Sequence, residues 1–429
     1  MSLDDWLRRR ITRVFAGEGE LRLVNKEFDP ASHFQQVEGL GLYLHIPFCR
    51  QICPYCPYNK VLYHADLASR YTEAVLREID RIAPLVGDRK ITSFYIGGGT
   101  PTTLLQGDLA KMLDRIYRTF NMKCGIHLES HPNDLSQEGL EEIAELGVEH
   151  LSIGVEALQD RHLRTLQRPY TAEAAKAAIY RVVKQGFDCV NVDQIFALPD
   201  QTRGEVQEAV RWLIDAGVDQ ITTYPLFSFP YTRWPMLSQE HNYRRYSLAQ
   251  KRDFLRGVEE ILYPAGYART SVWAFTRVGK PKYCSVTVPA YFGLGASAAT
   301  YLRDIFYLNT FNVQEYIQAL SSGKSPAALN LMLTRQMQMA GWLYWRVYET
   351  HINKGDFQER FGQEFDPVYG KQAQWLARFG LLQADGEEIR LTDSGSYWLH
   401  ALQDFFSLDY VSKLWGTSQE DPWPRQVLL

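Results

Sequence analysis

The chain has 429 residues, of which 45% are apolar and 22% are charged, and its net charge is −4. This length predicts two or three domains, and the apolar content is ample for a packed core. The slight negative charge excludes an electrostatic case for binding nucleic acid or an anionic membrane. The first residues lack the apolar segment of a signal peptide, and no apolar run has the length of a membrane span. We therefore expect a cytoplasmic protein with no nucleic-acid or membrane partner.

Residues 1–40 are polar and form an N-terminal extension. Arg8, Arg9, Arg10 and Arg13 are predicted to lie on a short amphipathic helix. Such arginine-rich segments are usually solvated. This one could also fold over an active site, and both interpretations stay open.

Strand-like and helix-like runs alternate from Gly41 to about Phe227. The strand-like runs are Leu42–Ile46, Ile91–Ile96, Gly125–Glu129, His150–Val155, Cys189–Phe196 and Gln220–Tyr224. The helix-like runs between them are Leu67–Ile82, Leu109–Phe120, Ser136–Leu146, Ala172–Lys184 and Gly204–Ala216. Gly147, Gly186 and Gly217 each follow a helix, where glycine supplies the left-handed cap. Alternation of this kind predicts parallel strands with right-handed crossovers, and hence an α/β fold with a partial (β/α)6 barrel.

Three of the six cysteines follow the first strand in a C-x-x-x-C-x-x-C spacing: Cys49, Cys53 and Cys56. Thiolates are the usual ligands of iron–sulfur clusters, and three of them would leave one iron of a 4Fe–4S cluster open. A structural zinc site would normally need a fourth ligand at short spacing. A secretory disulfide framework is disfavoured in a long chain without a leader. Zinc and unligated thiols remain as alternatives.

Polar residues stand where the predicted strands end. They are the Gly97–Pro101 turn after the second strand, Glu129, Glu156, Asp193 and Tyr224. In barrels of this kind the C-terminal ends of the strands meet at one mouth, where the chemistry occurs. The glycine triplet would let backbone approach a ligand, or it is simply a tight turn. Glu129 and Asp193 stand in apolar strands, where they would bind a ligand or form an internal ion pair with an arginine such as Arg168.

The last third of the chain is less regular. A run of small residues that includes Gly293, Gly295 and Ala296 would admit a ligand or form a close-packed turn. From about Ala327, helices and a hairpin with an Asp-Gly turn predict a winged-helix-like module. This module carries nine basic and thirteen acidic residues, which disfavours DNA and favours a lid or docking role. We expect boundaries at 1–40, 41–240, 241–325 and 326–429.

Four motifs resemble those of a known family. They are Tyr-Leu-His-Ile-Pro-Phe-Cys-x-x-x-Cys-x-Tyr-Cys, Gly-Gly-Gly-Thr-Pro-Thr, Ser-Ile-Gly-Val-Glu and Asn-x-Asp-x-Ile-x-x-Leu-Pro-x-Gln-Thr. Together they resemble the radical S-adenosylmethionine (SAM) superfamily, and within it the group similar to oxygen-independent coproporphyrinogen III oxidase, here called HemN-like. The resemblance runs from about Gly41 to Tyr316 and implies the partial barrel of that superfamily.

The resemblance implies a 4Fe–4S cluster on Cys49, Cys53 and Cys56, with SAM chelating the open iron and cleaved by one electron to a 5′-deoxyadenosyl radical. It implies an electron donor such as flavodoxin or ferredoxin. It also implies contacts with the cofactor. The methionine part of SAM would meet Gly98, Gly99, Thr100 and Glu129, and its carboxylate and ribose would meet Arg168 and Asp193. Tyr43 would lie near the cluster and Tyr55 near the adenine. A second SAM would lie at Gly293, Gly295 and Ala296.

Two positions depart from the coproporphyrinogen oxidases, and both are candidate catalytic residues. Tyr58 stands where those enzymes have a further Cys, and Glu156 stands where they have Gln. We therefore expect a paralogue that uses two SAM molecules to methylate, or transfer a one-carbon unit to, an sp2 carbon of a planar conjugated substrate. The alternatives are an anaerobic porphyrin-modifying or haem-modifying oxidoreductase and a non-enzymatic haem carrier.

Overall fold

The structure is a computed structural model and describes residues 3–283 and 288–429. Within that part of the chain, no helix has the length and apolar character needed to cross a membrane. Cys284, which we predicted to be a core thiol, lies outside the described residues.

The described residues form twenty strands and fifteen α-helices. The strands are β1 Arg22–Val24, β2 Gly39–Ile46, β3 Phe48–Cys49, β4 Val61–Leu62, β5 Lys90–Gly98, β6 Asn121–Met122, β7 Ile126–Ser130, β8 Val148–Glu156, β9 Cys189–Phe196, β10 Gln220–Pro225, β11 Tyr267–Arg269, β12 Ala274–Arg277, β13 Tyr291–Leu294, β14 Ala299–Tyr301, β15 Ile305–Asn309, β16 Ala327–Met332, β17 His351–Asn353, β18 Leu382–Asp385, β19 Glu388–Leu391 and β20 Gln426–Leu428.

The helices are α1 Leu3–Ala16, α2 Pro30–Phe34, α3 Ala65–Val86, α4 Asp108–Thr119, α5 Gln137–Glu145, α6 Asp160–Thr165, α7 Ala172–Gln185, α8 Arg203–Asp215, α9 Trp234–Glu240, α10 Leu248–Leu262, α11 Val313–Ser321, α12 Arg335–Tyr348, α13 Lys354–Phe361, α14 Phe365–Arg378 and α15 Asp393–Glu420. Two 3-10 turns, Pro101–Leu104 and Pro132–Asp134, follow strands β5 and β7.

Six parallel strands form the predicted barrel wall in the order β2, β5, β7, β8, β9, β10. The barrel stays open between its first and last strands. On its free side β2 pairs in parallel with β13, whereas β10 pairs antiparallel with β12. The predicted partial barrel of α/β class is therefore confirmed, and further strands extend the sheet on both sides of it.

Local sequence signals set the helix ends in the barrel. Thr202 and Glu205 form a capping box at the start of α8. Gly147, Gly186 and Gly217 all have positive φ, from 76° to 87°, directly after the ends of α5, α7 and α8. The predicted glycine caps are confirmed, and each helix ends where the next strand must turn back.

Alternation along the strands separates a polar inside from an apolar outside. In β8, Ser152, Gly154 and Glu156 line an internal cavity, whereas Leu151 and Ile153 belong to the main hydrophobic core. Successive strand side chains point to opposite faces. Polar residues in this barrel are therefore brought together inside it by their two-residue spacing.

The N-terminal extension packs against the C-terminal part of the chain. Arg8 Nε donates to the Phe405 carbonyl at 3.0 Å, and Thr12 Oγ1 is 2.7 Å from Tyr410 Oη. Strand β1 pairs with both β16 and β20. The predicted helix is present as α1, and its described contacts are with this distal part of the molecule.

The C-terminal module has its own apolar core around Trp342, Phe357 and Phe361. Strands β18 and β19 form the predicted hairpin, with Gly386 at φ 57° in the turn, and β17 adds a third strand. The long helix α15 lines the barrel cavity on one side and a second, apolar cavity of about 890 Å³ on the other. The winged-helix-like prediction holds in outline, since helices surround a small antiparallel sheet.

A buried carboxylate joins α3 to the segments around β13, β15 and α11. Glu78 accepts hydrogen bonds from Gly295 N at 2.7 Å, Tyr316 Oη at 2.5 Å and Asn309 Nδ2 at 2.7 Å. Burial raises the pKa of Glu78 to about 7, and these hydrogen bonds partly offset that rise. The folded protein therefore holds a proton on Glu78 at a pH where the unfolded chain has lost it.

We expect Glu78→Gln to remove a pH dependence of stability. Because the folded pKa is the higher one, the contribution of Glu78 is fully present below about pH 4.5 and is lost as the pH rises through about 7. The free energy of unfolding of the wild type, relative to the variant, should fall by roughly 2–3 kcal/mol over that range. Denaturant unfolding at pH 5 to 8 measures this, with exposed Glu73→Gln as the control. If the difference in the free energy of unfolding between wild type and Glu78→Gln did not change with pH, Glu78 would be ionised over the whole of this range.

Candidate functional site

The cysteine loop leaves the C-terminal end of β2 and is held by backbone hydrogen bonds. Tyr63 N donates to the Cys49 carbonyl at 2.9 Å, and Thr100 N donates to the Phe48 carbonyl at 2.7 Å. Strand β3, which contains Cys49, pairs with β4 across the loop. The loop is thus fixed at both ends by the protein itself, as a rigid ligand site requires.

The three cysteine side chains line one cavity and form no disulfide among the described residues. Arg168 Nη1 donates to Cys53 Sγ at 3.1 Å, and Thr100 Oγ1 donates to Cys49 Sγ at 3.5 Å. Burial raises the pKa of Cys49, and it raises that of Cys56 to about 12. A metal ion would stabilise the thiolates of such buried groups, and donors directed at sulfur suit metal-bound sulfur.

The cavity has a volume of about 480 Å³ and opens at the C-terminal ends of the barrel strands. It brings together most of the predicted site residues, which are Cys49, Cys53, Tyr55, Cys56, Tyr58, Gly98, Gly99, Thr100, Glu129, Glu156, Arg168, Asp193 and Tyr224. This volume lies within the usual range for small-molecule sites. The predicted convergence of strand ends on one mouth is present in the structure.

The packing of the turn after β5 requires glycine at two positions of the Gly97–Gly99 triplet. Gly98 has φ 118°, and a Cβ there would lie 2.5 Å from the His45 ring. A Cβ on Gly99 would lie 2.7 Å from the Phe48 carbonyl oxygen. Both glycines therefore allow the turn after β5 to pack against the cysteine loop, and both also line the cavity.

Glu129 is held by the turn that follows β5. Its carboxylate accepts from Tyr95 Oη at 2.5 Å and from Gly98 N at 3.0 Å. Burial raises the pKa of Glu129, and these two hydrogen bonds act in the opposite direction. Tyr95 lies two residues before the first glycine of the triplet, and side chains two residues apart on a strand point to the same face of the sheet. This spacing could have identified Tyr95 from the sequence.

Asp193 and Glu156 also lie inside the cavity without a cationic partner. Asp193 accepts from Asn191 Nδ2 at 2.9 Å and Ser152 Oγ at 3.4 Å, and burial, followed by the charge of Glu156, raises its pKa to about 8. Glu156 accepts from Tyr224 Oη at 3.3 Å, and its own φ of 69° is unusual for a non-glycine residue. Among the described residues, these two and Glu129 form no ion pair within 4.0 Å.

Arg168 is not the partner that the ion-pair alternative required. Its guanidinium donates to the Tyr170 hydroxyl at 2.7 Å, to the Gly154 carbonyl at 2.5 Å and to Cys53 Sγ. The charge of Arg168 does lower the pKa of nearby Glu156, against the stronger effect of burial. The guanidinium is thus oriented by neutral groups and sulfur beside the cavity.

Three predicted tyrosines differ in their surroundings. Tyr55 lines the cavity, and its hydroxyl is buried without a hydrogen-bond partner among the described residues. Tyr58 lines the cavity and is 56% exposed. Tyr43 lies deeper, where its hydroxyl is 2.8 Å from His45 Nδ1, and it is not among the cavity-lining residues described.

The small-residue run after β13 packs against protein. Gly295 N donates to Glu78, and Ala296 N donates to the Tyr71 hydroxyl at 3.0 Å. A Cβ on Gly293 would lie 2.4 Å from the Ala299 carbonyl oxygen. These three predicted positions do not line the described cavity, so a second SAM there stays a prediction.

A ladder of aromatic rings forms another part of the site, of which the sequence analysis identified only Tyr224. Tyr224, Phe227, Phe229 and Tyr231 are in successive contact, with ring centroids 5.7 to 6.4 Å apart. We call these four residues the aromatic ladder. Its first three members line the cavity, and Tyr231 Oη donates to the Pro57 carbonyl in the cysteine loop at 3.2 Å. The two-residue aromatic spacing after β10 was the available signal.

The C-terminal helix contributes the opposite wall. His400, Asp404, Ser407, Leu408 and Val411 of α15 line the cavity. The Trp273 indole donates to His400 Nε2 at 2.9 Å and so joins this helix to the barrel. No motif marks these positions, because the contact joins segments 127 residues apart.

The residues present fit a 4Fe–4S cluster with SAM. Three thiols share one cavity with sulfur-directed donors, three carboxylates there lack cationic partners, and the Tyr55 hydroxyl is unpaired among the described residues. SAM carries an ammonium, a sulfonium and hydroxyl groups that could satisfy these atoms.

Comparison with known proteins agrees with this fit. The radical SAM superfamily profile matches residues 43–213, and the HemN C-terminal domain profile matches residues 350–398. The heme chaperone HemW of Lactococcus lactis is 28% identical over 375 residues, which span 86% of this chain and 98% of that protein. The oxygen-independent coproporphyrinogen III oxidase of Salmonella typhimurium is 24% identical over 398 residues, spanning 86% of this chain and 87% of that protein.

A solved structure has the same fold. Coproporphyrinogen III oxidase (HemN) from Escherichia coli superposes with a TM-score of 0.76 at 20% identity, covering 90% of this chain and 95% of that one. The fold and the site thus define a radical SAM protein. Within that superfamily the chain belongs to the HemN-like group, and its likeness to heme chaperones is consistent with a paralogue of the oxidase.

We expect that replacing Cys49, Cys53 or Cys56 singly by Ala abolishes the brown chromophore of the anaerobically reconstituted protein. SAM cleavage should be lost with it, because a cluster with two protein ligands is not retained. Ultraviolet–visible absorption and iron content measure the loss. Cys189→Ala, which alters a fully buried thiol outside the cavity, is the control and should keep the chromophore. A chromophore that survives a substitution in the loop would overturn the ligand assignment.

Proposed function

We propose that this protein binds a 4Fe–4S cluster through Cys49, Cys53 and Cys56, binds SAM beside it, and handles a haem or a related porphyrin in the same cavity as a carrier. The likeness to heme chaperones over most of the chain carries this proposal. It was one alternative from the sequence, and the comparisons support it better than they support methylation. When bound, the cluster and SAM supply a one-electron cleavage of the sulfonium.

The chain's own carboxylates would orient SAM. Glu129 is fixed by Tyr95 and Gly98 and would accept from the ammonium group, while Asp193, beside Asn191, would accept from the ribose hydroxyls. An unpaired buried carboxylate is costly, so a cationic or donating ligand stabilises it. The Arg168 guanidinium would meet the ligand carboxylate while it donates to Cys53 Sγ.

The aromatic ladder would receive the flat ligand. A porphyrin is planar and conjugated, and offset contact with successive rings suits such a shape. Phe229 of the ladder is buried, and Trp273, which lines the cavity beside α15, is buried as well. Lys282 also lines the cavity, paired with Glu349 at 3.0 Å, and a cation there suits the propionate groups of haem. Tyr58 occupies the position where the oxidases have cysteine, which argues against their decarboxylation.

Transfer of a one-carbon unit from a second SAM to an sp2 carbon is the second candidate. It is favoured by the complete set of groups suited to SAM, Glu129, Arg168 and Asp193, in the cavity with the cysteines. A carrier that binds SAM without cleaving it would not require all of them. Porphyrin-modifying chemistry is a further outcome of the same experiment.

The deciding experiment loads the reconstituted protein with haem and adds a haem-free acceptor protein, with methyl-labelled SAM and a reductant present. We expect haem to appear in the acceptor spectrum and no label to enter the tetrapyrrole. Label in a product would favour the second candidate. Deoxyadenosine with an altered tetrapyrrole lacking label would favour modification. Absence of haem binding at micromolar concentration would refute the carrier proposal.

Phe227→Ala should weaken haem binding by roughly tenfold, because it removes a stacking ring from the aromatic ladder. Haem titration followed by absorbance measures the change. The matched control is Phe379→Ala, an aromatic residue that is 63% exposed and outside the described cavity. Equal affinity of Phe227→Ala and wild type would place the haem elsewhere.

Glu129→Gln should weaken SAM binding by roughly tenfold or more, since it removes the charge opposite the ligand ammonium while keeping the shape. Equilibrium dialysis with the cluster-loaded protein measures the affinity. Exposed Glu145→Gln is the control. If Glu129→Gln binds SAM as the wild type does, the ammonium lies at another carboxylate.

A further inference from the structure

Two histidines are stacked at the end of the barrel opposite the cysteines. His127 in β7 and His150 in β8 are register partners, with ring centroids 4.0 Å apart and planes inclined by only 8°. His127 is the second residue of β7 and His150 the third residue of β8, so both lie near the N-terminal ends of their strands, away from the cysteine loop.

The ring nitrogens of these histidines are not fully satisfied by the protein. Nδ1 of His127 and Nδ1 of His150 are buried and have no hydrogen-bond partner among the described residues. His150 is only 8% exposed. A buried polar atom left without a partner is destabilising, so each such atom in a folded protein needs an explanation.

Two carboxylates lie beside His150. A ring nitrogen of His150 and one carboxylate oxygen each of Glu149 and Asp188 all lie within 4.8 Å of one another. The two acidic residues are linked by a hydrogen bond from Asp188 N to the Glu149 carbonyl at 2.9 Å. Neither side chain forms an ion pair or hydrogen bond within the described ranges. Lys280 Nζ lies nearby, where it pairs with the Asp219 carboxylate at 3.2 Å and donates to the backbone carbonyl of Asp188 at 3.4 Å.

The spacing is close to that of a metal site. Two ligands at about 2.1 Å from one ion in tetrahedral geometry are about 3.4 Å apart. Glu149 and Asp188 are exposed, so small side-chain rotations can bring their oxygens to that separation while His150 stays fixed by its packing. Exposed acidic pairs alone are common on protein surfaces. The buried imidazole beside this pair, with an unpartnered nitrogen, is what distinguishes it.

We propose that Glu149, His150 and Asp188 form a site for a divalent transition-metal ion such as Zn²⁺, with His127 positioning the His150 ring. One imidazole with two carboxylates and room for water suits zinc better than magnesium or calcium, which favour oxygen ligands alone. The ion would join β8 to the start of β9 at the end of the barrel opposite the cysteine loop. None of these residues lines the cysteine cavity, so the site is independent of the proposed function.

Titration of ZnCl2 into the cluster-loaded protein, followed calorimetrically, tests the site. We expect one zinc per chain, with iron content unchanged. Glu149→Gln and Asp188→Asn should each weaken zinc binding by at least about tenfold, whereas Glu145→Gln, an exposed glutamate on the preceding helix, should not. The two test substitutions are at exposed positions, so folding is preserved, and the brown chromophore verifies it.

A thermal readout separates binding at this site from binding to loose thiols. Zinc should raise the unfolding temperature of the wild type by mass action and should have little effect on Glu149→Gln. The proposal is overturned if no zinc binds at about 1 mM, or if the affinity of Glu149→Gln and Asp188→Asn equals that of the wild type. Zinc uptake accompanied by loss of iron would place the ion on the cysteines and would equally overturn it.

Discussion

The burial of negative charge at one end of the barrel is the constraint on which the site depends. Glu129, Glu156 and Asp193 lie there without an ion-pair partner among the described residues, and burial raises the pKa of each. Such an arrangement is costly unless a ligand supplies positive charge or donors. The tyrosine and backbone donors that surround these groups hold them in position without neutralising them. The structure thereby favours a cationic ligand next to a sulfur-rich loop.

Much of the fold and of the site was predictable from the sequence, because the local sequence signals agree with the global fold. Strands of alternating character, glycine caps such as Gly186 and the capping box at Thr202 all mark the same boundaries. Parallel strands then place their C-terminal ends together, so residues as distant as Cys49 and Asp193 can be assigned to one site from the order of the strands alone. Cysteine spacing added the chemistry.

The remainder depends on contacts that local patterns do not encode. Helix α15 carries His400, Asp404 and Ser407 towards the barrel cavity, and Leu402 and Phe406 towards the second cavity. Because it is covered on both sides, its sequence lacks the one-sided pattern that marks a surface helix. Gly293 and Gly295 illustrate another limit, since a glycine needed for packing and one needed for ligand access look alike in sequence. The stacked pair of His127 and His150 is visible only once the register of β7 and β8 is known.

The shape of the cavity bears on how one site could serve both SAM and a tetrapyrrole. The groups suited to SAM line the barrel side, around the cysteine loop, whereas the aromatic ladder and helix α15 form the outer walls. A volume of about 480 Å³ leaves limited room for two ligands of that size. Since one of these walls is a single helix joined to the barrel through Trp273 and His400, the room for a flat ligand depends on where α15 lies. The C-terminal module is therefore part of the site, and differences in this helix would allow related proteins with one radical SAM core to accept different ligands.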